Sequence, residues 1–244
     1  MERFVDRAVV LSTVDYGEAD RLVTLLTREH GKLSAFAAGA RKSKRRFAGA
    51  LEPGTLLKAQ LVERRGSTVR LDGVDVERTF HHVREDLVLI SRMMYCLELC
   101  RELTRDREPH AQLFDALEAY LGRLEQKQAG PTSLIAFELD ALAQAGLMPR
   151  FDACALCDGA VGPEAAFDPG HGGAVCGNCR GRVHGGSPLP AELAQALVGL
   201  QAGVRQPMPA DQRRRARGLL NVFIAHQLGR RLKSVDFLEQ IGLD

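Results

Sequence analysis

Two hydrophobic periods divide the chain. From residue 4 to residue 76, apolar and β-branched side chains come in short runs bounded by turn residues, the pattern of strands. Residues 4–14 (Phe-Val-Asp-Arg-Ala-Val-Val-Leu-Ser-Thr-Val), 22–27, 33–38, 56–64 and 69–76 read as five strands. Turns fall from Asp15 to Asp20, at His30-Gly31-Lys32 and at Arg65-Gly66-Ser67. Five short strands in one small segment fit a closed barrel or sandwich, and the OB-fold is the five-stranded option.

From Asp86 the period becomes helical. Leu87, Val88, Leu89, Ile90, Met93, Met94, Leu97, Leu99 and Leu103 make one helix apolar nearly all round, hence buried. A second helix is expected from Pro109-His110 to Leu124, and a third from Thr132 to Ala145, with Gly146 as its stop. Further helices are expected at Pro190–Gln201 and Pro209–Leu232, where Leu220, Ile224, Leu228 and Leu232 step by four. Ser234 is placed to cap a last helix, Val235–Ile241. The fold class read from these periods is α+β: a five-stranded OB-fold barrel over residues 1–80 and an α-helical domain over 81–244.

One stretch fits neither period. Cys154-Ala-Leu-Cys157 and Cys176-Gly-Asn-Cys179 form two Cys-x-x-Cys knuckles separated by eighteen residues, a four-thiolate zinc spacing. Each knuckle brings two sulfurs to one metal, and the closed tetrahedron leaves no position for reactive water, so the zinc is read as structural. The intervening segment is rich in Gly and Pro and poor in large apolar residues, so ligation would replace its missing core. Residues 150–186 are therefore an embedded zinc module, with two disulfides or four loose thiols as the alternatives. His171 and His184 are read as lying outside the ligand set. Cys96 and Cys100, one helical turn apart, read as small buried core residues.

Charge sharpens the picture. The net charge is only +2, but residues 1–80 carry +4, residues 81–153 carry −4, residues 154–190 carry −1 and residues 191–244 carry +3. Most of the first excess sits in one run, Arg41-Lys42-Ser43-Lys44-Arg45-Arg46-Phe47, between predicted strands. Self-repulsion makes such a run an exposed, mobile loop. Cations that track phosphates beside an aromatic that stacks a base suit single-stranded nucleic acid, so Arg41, Lys42, Lys44, Arg45, Arg46 and Phe47 are the expected DNA-binding residues. Arg213, Arg214, Arg215 and Arg217 crowd a predicted helix start against its dipole, as either an anion contact or a solvated surface. Residues 1–24 are too charged for a signal peptide, and no uncharged apolar run reaches a membrane span, so a cytoplasmic protein is expected, where paired cysteines favour metal.

No catalytic signature appears. There is no Walker P-loop and no Gly-x-Ser-x-Gly elbow. Asp15, Glu18 and Asp20 read as turn residues, and His81 and His82 as boundary residues. The residues alone describe a non-enzymatic binding protein.

The motifs taken together resemble the RecO recombination-mediator family of bacterial DNA repair. They run in order as Ala8-Val9-Val10-Leu11, Tyr16-Gly17-Glu18-Ala19-Asp20, Leu25-Leu26-Thr27, Gly31-Lys32, Ala38-Gly39-Ala40-Arg41-Lys42 and Leu51-Glu52-Pro53-Gly54. Phe137-Glu138-Leu139, Gly146-Leu147-Met148-Pro149, Cys154-x-x-Cys157, Leu232-Lys233-Ser234 and Phe237-Leu238 follow. Asp158 stands where glycine often follows the second cysteine. The resemblance implies an OB-fold that binds single- and double-stranded DNA, annealing of complementary strands, and help in loading RecA onto single strands coated by single-strand-binding protein. It implies RecR and the acidic C-terminal tail of single-strand-binding protein as partners, and a nucleoid-associated location. Two rivals are a zinc nuclease or deaminase, opposed by the saturated cysteine set and the missing His-x-Glu signature, and a zinc-ribbon regulatory factor without annealing activity.

Overall fold

β1 (Glu2–Tyr16) is long enough to serve two neighbours. Its second half pairs antiparallel with β2 (Asp20–Thr27), from Ala8 opposite Thr27 to Tyr16 opposite Asp20. Its first half pairs with β4 (Leu56–Glu63), from Glu2 opposite Glu63 to Val9 opposite Leu56. The register slips between Val10 and Ser12, a bulge that bends the strand where it changes partner. β3 (Gly31–Ala37) continues from β2, and β5 (Val69–Arg78) pairs with β4 and runs parallel to β3 at Ala35/Val69 and Phe36/Arg70. The order β1-β2-β3-β5-β4 closes into the expected barrel. Its core uses alanines, Ala8, Ala35, Ala37 and Ala59, among Val10, Val23, Leu25, Leu33, Leu57, Leu61, Val69 and Leu71. Small inward side chains let five strands close with little room inside.

The computed structural model describes residues 2–43, 46–63 and 68–241. The expected hairpin turn at Arg65-Gly66-Ser67 lies outside them, as do Lys44 and Arg45. By contact density the chain separates into two units, Met1–Gln128 and Ala129–Asp244.

In the first unit three helices accompany the barrel: α1 (His81–Glu85), α2 (Leu87–Leu103) and α3 (Ala111–Glu125). Asp86 caps α2 by accepting from the amides of Val88 (2.8 Å) and Leu89 (3.2 Å). His81 and His82, expected as boundary residues, instead open α1. Glu125, at the end of α3, accepts from the His82 and Val83 amides and from the His82 ring, which caps a helix with no local cap. Burial raises the Glu125 carboxyl, but those donors outweigh it and hold it below the usual range. Cys96 and Cys100 are fully buried on α2, and burial pushes the Cys100 thiol up. Arg7 joins the barrel to α3 through Glu118 at 2.9 Å, and Arg28 through Asp115 at 2.9 Å.

The second unit holds α4 (Pro131–Gln144), α5 (Ala191–Gln201), α6 (Ala210–Leu228) and α7 (Lys233–Gln240). Between α4 and α5 lies a small sheet of β6 (Ala166–Asp168), β7 (Gly173–Val175) and β8 (Ser187–Pro188), in the order β7-β6-β8. Phe167 on β6 stacks on Phe151 (centroids 5.4 Å) and meets Phe223 of α6 edge-on (5.8 Å), which docks this sheet on the helices. Two helix limits need correcting. α6 ends at Leu228, not Leu232, because Gly229 turns left-handed (φ 67°). α7 begins at Lys233, and no side chain caps it, so Ser234 lies within the first turn rather than before it. Among the described residues no helix is long and apolar enough to cross a membrane.

Candidate metal centre and nucleic-acid interface

The four cysteines converge. Their sulfurs all lie within 4.8 Å of one another, and among the described residues they are the only three or more His, Cys, Asp or Glu side chains so placed. The Cys157 and Cys176 sulfurs are 3.7 Å apart. That is far beyond a disulfide bond. It is close to the roughly 3.8 Å edge of a tetrahedron with metal–sulfur bonds of about 2.3 Å. Local structure explains the convergence. The Asp158 amide bonds the Cys154 carbonyl (2.9 Å) and the Cys179 amide bonds the Cys176 carbonyl (3.0 Å), so each knuckle is a tight turn. The Ala155 amide donates to Ala174 of β7 (2.7 Å), which holds the first knuckle against the strand that leads into the second. Val175, Leu156 and Val183 pack around the sulfurs.

The electrostatics suit a cation. Burial raises the Cys154 thiol, but the amides of Cys176, Leu156 and Cys157 point at its sulfur and bring it down to about 6. Hydrogen bonding to Cys157, together with burial, pushes Cys179 up to about 12. Four thiolates this close repel one another, and a divalent ion among them would remove that repulsion. The donor set therefore fits a metal ion held by Cys154, Cys157, Cys176 and Cys179. His171 is held by Asp168 instead, and neither it nor His184 joins the group. Asp158 has a left-handed backbone (φ 58°) and pairs with Arg150. An aspartate tolerates that conformation better than most residues.

On either side of Lys44 and Arg45, the described residues of the basic segment are held by local contacts. A short 3-10 turn, Ala40–Lys42, follows β3, and the Ser43 hydroxyl accepts from the amides of Arg46 (3.1 Å) and Phe47 (3.3 Å). Ala40, Phe47 and Leu51 enter the barrel core. Phe47 is only 2% exposed, so its ring cannot receive a base, and the stacking role expected of it is withdrawn. The hydrophobic ring went to the core because it sits where the connection re-enters the barrel. Arg46 lies over that ring at 5.0 Å and donates to the Ala38 carbonyl at 2.7 Å. Arg41 donates to the Gly17 carbonyl (3.0 Å) and pairs with Asp15 (3.3 Å). Arg41, Lys42 and Arg46 are exposed at one end of the barrel.

Two of the three carboxylates expected as turn residues are engaged by the fold. Asp15 pairs with Arg21 (3.1 Å) and Asp20 accepts the Gly39 amide (2.7 Å). The arginine cluster on α6 splits. Arg214 and Arg215 are exposed, Arg213 donates to the Met208 carbonyl at 2.6 Å, and Arg217 is buried in an ion pair with Glu138 of α4. Sequence reasoning missed one exposed feature, the pairing of Tyr16 with Phe36 across the outer face of the barrel. Strand alternation could have found it, since both residues lie in register with outward neighbours.

An OB barrel followed by helices, with four clustered cysteines that could hold a metal ion, defines an α+β class. The particular family follows from comparison. The model described as Recombination protein O N terminal matches residues 1–80, and Recombination protein O C terminal matches residues 84–236. The chain is 66% identical to "DNA repair protein RecO" of Myxococcus xanthus (strain DK1622) over 244 residues, all of both chains. It is 52% identical to the protein of that name from Anaeromyxobacter dehalogenans (strain 2CP-C), covering 99% of this chain and 98% of the relative. For Geobacter sulfurreducens the identity is 39%, over 96% of each. The chain belongs to the RecO family of DNA repair proteins.

Proposed function

We propose that the protein is a non-enzymatic recombination mediator. It binds single- and double-stranded DNA, anneals complementary strands and helps RecR load RecA onto DNA coated by single-strand-binding protein, whose acidic tail it engages. Residues 1–80 are the DNA-binding domain and residues 150–186 a zinc module. The protein works in the cytoplasm, at the nucleoid. The observation that carries this reading is the set of exposed cations Arg41, Lys42 and Arg46 on the connection that follows β3 of an OB barrel. Lys44 and Arg45 extend the run in sequence. Cations fixed on a barrel of this kind track phosphates. Family membership adds the repair context. The metal is read as zinc because four thiolates in a closed tetrahedron suit it.

The test is annealing of complementary strands precoated with single-strand-binding protein, with and without the purified protein. Faster annealing without nucleotide hydrolysis supports the reading. Binding to DNA with no annealing would favour a regulatory factor instead, and cleavage of the strands would point to a nuclease.

A further inference from the structure

The outer face of the β1–β2–β3 sheet carries an apolar row that the barrel does not use. Side chains alternate along a strand, so Val14 and Tyr16 point away from the core on β1. Both are 62% exposed. The register sets Leu22 opposite Val14 and Phe36 opposite Leu22, so the row crosses three strands. Tyr16 meets Phe36 edge-on, with centroids 5.8 Å apart and planes at 85°. The core behind the sheet is already filled by Val23, Ala35 and Ala37. Single exposed apolar residues are ordinary, but a contiguous row containing two aromatics marks a contact surface.

Charge at its border selects the occupant. Arg41 reaches both chain neighbours of Tyr16, pairing with Asp15 at 3.3 Å and donating to the Gly17 carbonyl at 3.0 Å. Arg21 binds Asp15 from the other side and also approaches Glu52 at 3.4 Å. Asp20 is taken by the Gly39 amide. Three of the four nearby carboxylates are thus engaged, and Glu18 stays exposed. Lys42 and Arg46 lie exposed on the same connection as Arg41. Aromatic rings beside a line of cations suit a polyanion whose bases are open to stacking. Duplex DNA presents its phosphates but not the faces of its bases.

We infer that Tyr16 and Phe36 form a stacking platform for unpaired bases, so that this face of the barrel distinguishes single strands from duplex while the cations serve both. The inference rests on the DNA-binding reading above. Phe47, the aromatic nearest the basic run in sequence, is buried, and this pair takes its place.

The chain offers its own probe. It contains no tryptophan and three tyrosines, and Tyr95 and Tyr120 are fully buried. Stacking at Tyr16 should therefore quench tyrosine emission when an oligothymidine is added. In Tyr16→Phe the quench should vanish while affinity is kept. Tyr16→Ala should weaken single-strand binding roughly 5- to 100-fold, the usual cost of removing one stacking partner. It should leave duplex affinity, salt slope and the unfolding midpoint unchanged. Phe36→Leu should weaken single-strand binding in the same direction. Salt-dependent DNA binding that is unaltered in Tyr16→Ala would overturn the inference alone and leave the face to a protein partner. Equal weakening for both DNA forms would also overturn it. If the wild-type protein bound neither form, the DNA-binding reading itself would fall.

Discussion

Lys32 of β3 donates its ammonium to the Thr104 carbonyl just beyond α2, at 2.6 Å. A second bond goes to the Arg101 carbonyl at 2.7 Å. A barrel lysine thus satisfies carbonyls that the end of α2 leaves open, where a positive charge is favoured. Beside it, Gly31 has φ 70°, and a side chain there would overlap the Glu108 backbone. The Gly31-Lys32 pair is a joint between the barrel and its helices. Lys32→Met should lower unfolding stability by about 2–3 kcal/mol, the scale of charged hydrogen bonds lost inside a protein. Urea unfolding reads the loss. The salt slope of DNA binding should not move, and a changed slope with an unchanged midpoint would refute the assignment.

Arg217 and Glu138 should behave as a unit. Removing one partner of a buried pair strands the other charge, at about 3–5 kcal/mol. Arg217→Ala should therefore be severely destabilising, whereas Arg214→Ala and Arg215→Ala, both exposed, should stay within about 0.5 kcal/mol. The double change Arg217→Met with Glu138→Leu should recover most of the loss. Denaturant midpoints of the four variants decide the matter, and equal effects for Arg214 and Arg217 would contradict it.

The metal centre predicts one zinc per chain, measurable by elemental analysis of protein purified under reducing conditions without chelator. Cys176→Ser, or removal of the metal by a strong chelator, should open residues 150–186 to limited proteolysis, since ligation replaces a core there. The barrel has its own core and should resist. Absence of stoichiometric metal in a folded, protease-resistant protein would be the adverse result.

The basic connection predicts a salt dependence. Each phosphate contact to a single strand contributes a slope of roughly −0.7 in log K against log salt. Arg41→Ala with Lys42→Ala should flatten the slope by about 1.4 if both touch phosphates. The loss should be equal for all base sequences, because phosphates carry no base information. Parallel titration lines for wild type and double variant would move the search for the DNA site to Arg214 and Arg215.

Much of the chain was legible because its signals are local. The five strands announced themselves through β-branched runs and turn residues, and the long helices through their period. α1 was not legible, since its cap is Glu125, more than forty positions away in sequence. The α6 limit was misread because Leu232 continues the four-residue step although Gly229 has already ended the helix. That periodicity reports which side chains turn inward, not whether the backbone between them stays helical.

The sequence by itself determined the α+β class, the grouping of the four cysteines and the family, because spacing and order along the chain carry them. Only the tertiary structure decided what the charged and aromatic residues near those motifs do. Phe47 went into the barrel and Tyr16 stayed out. Arg217 was buried against Glu138 while Arg214 and Arg215 faced solvent. Burial of a ring or a charge depends on which distant element covers it, and no spacing within a short segment encodes that contact.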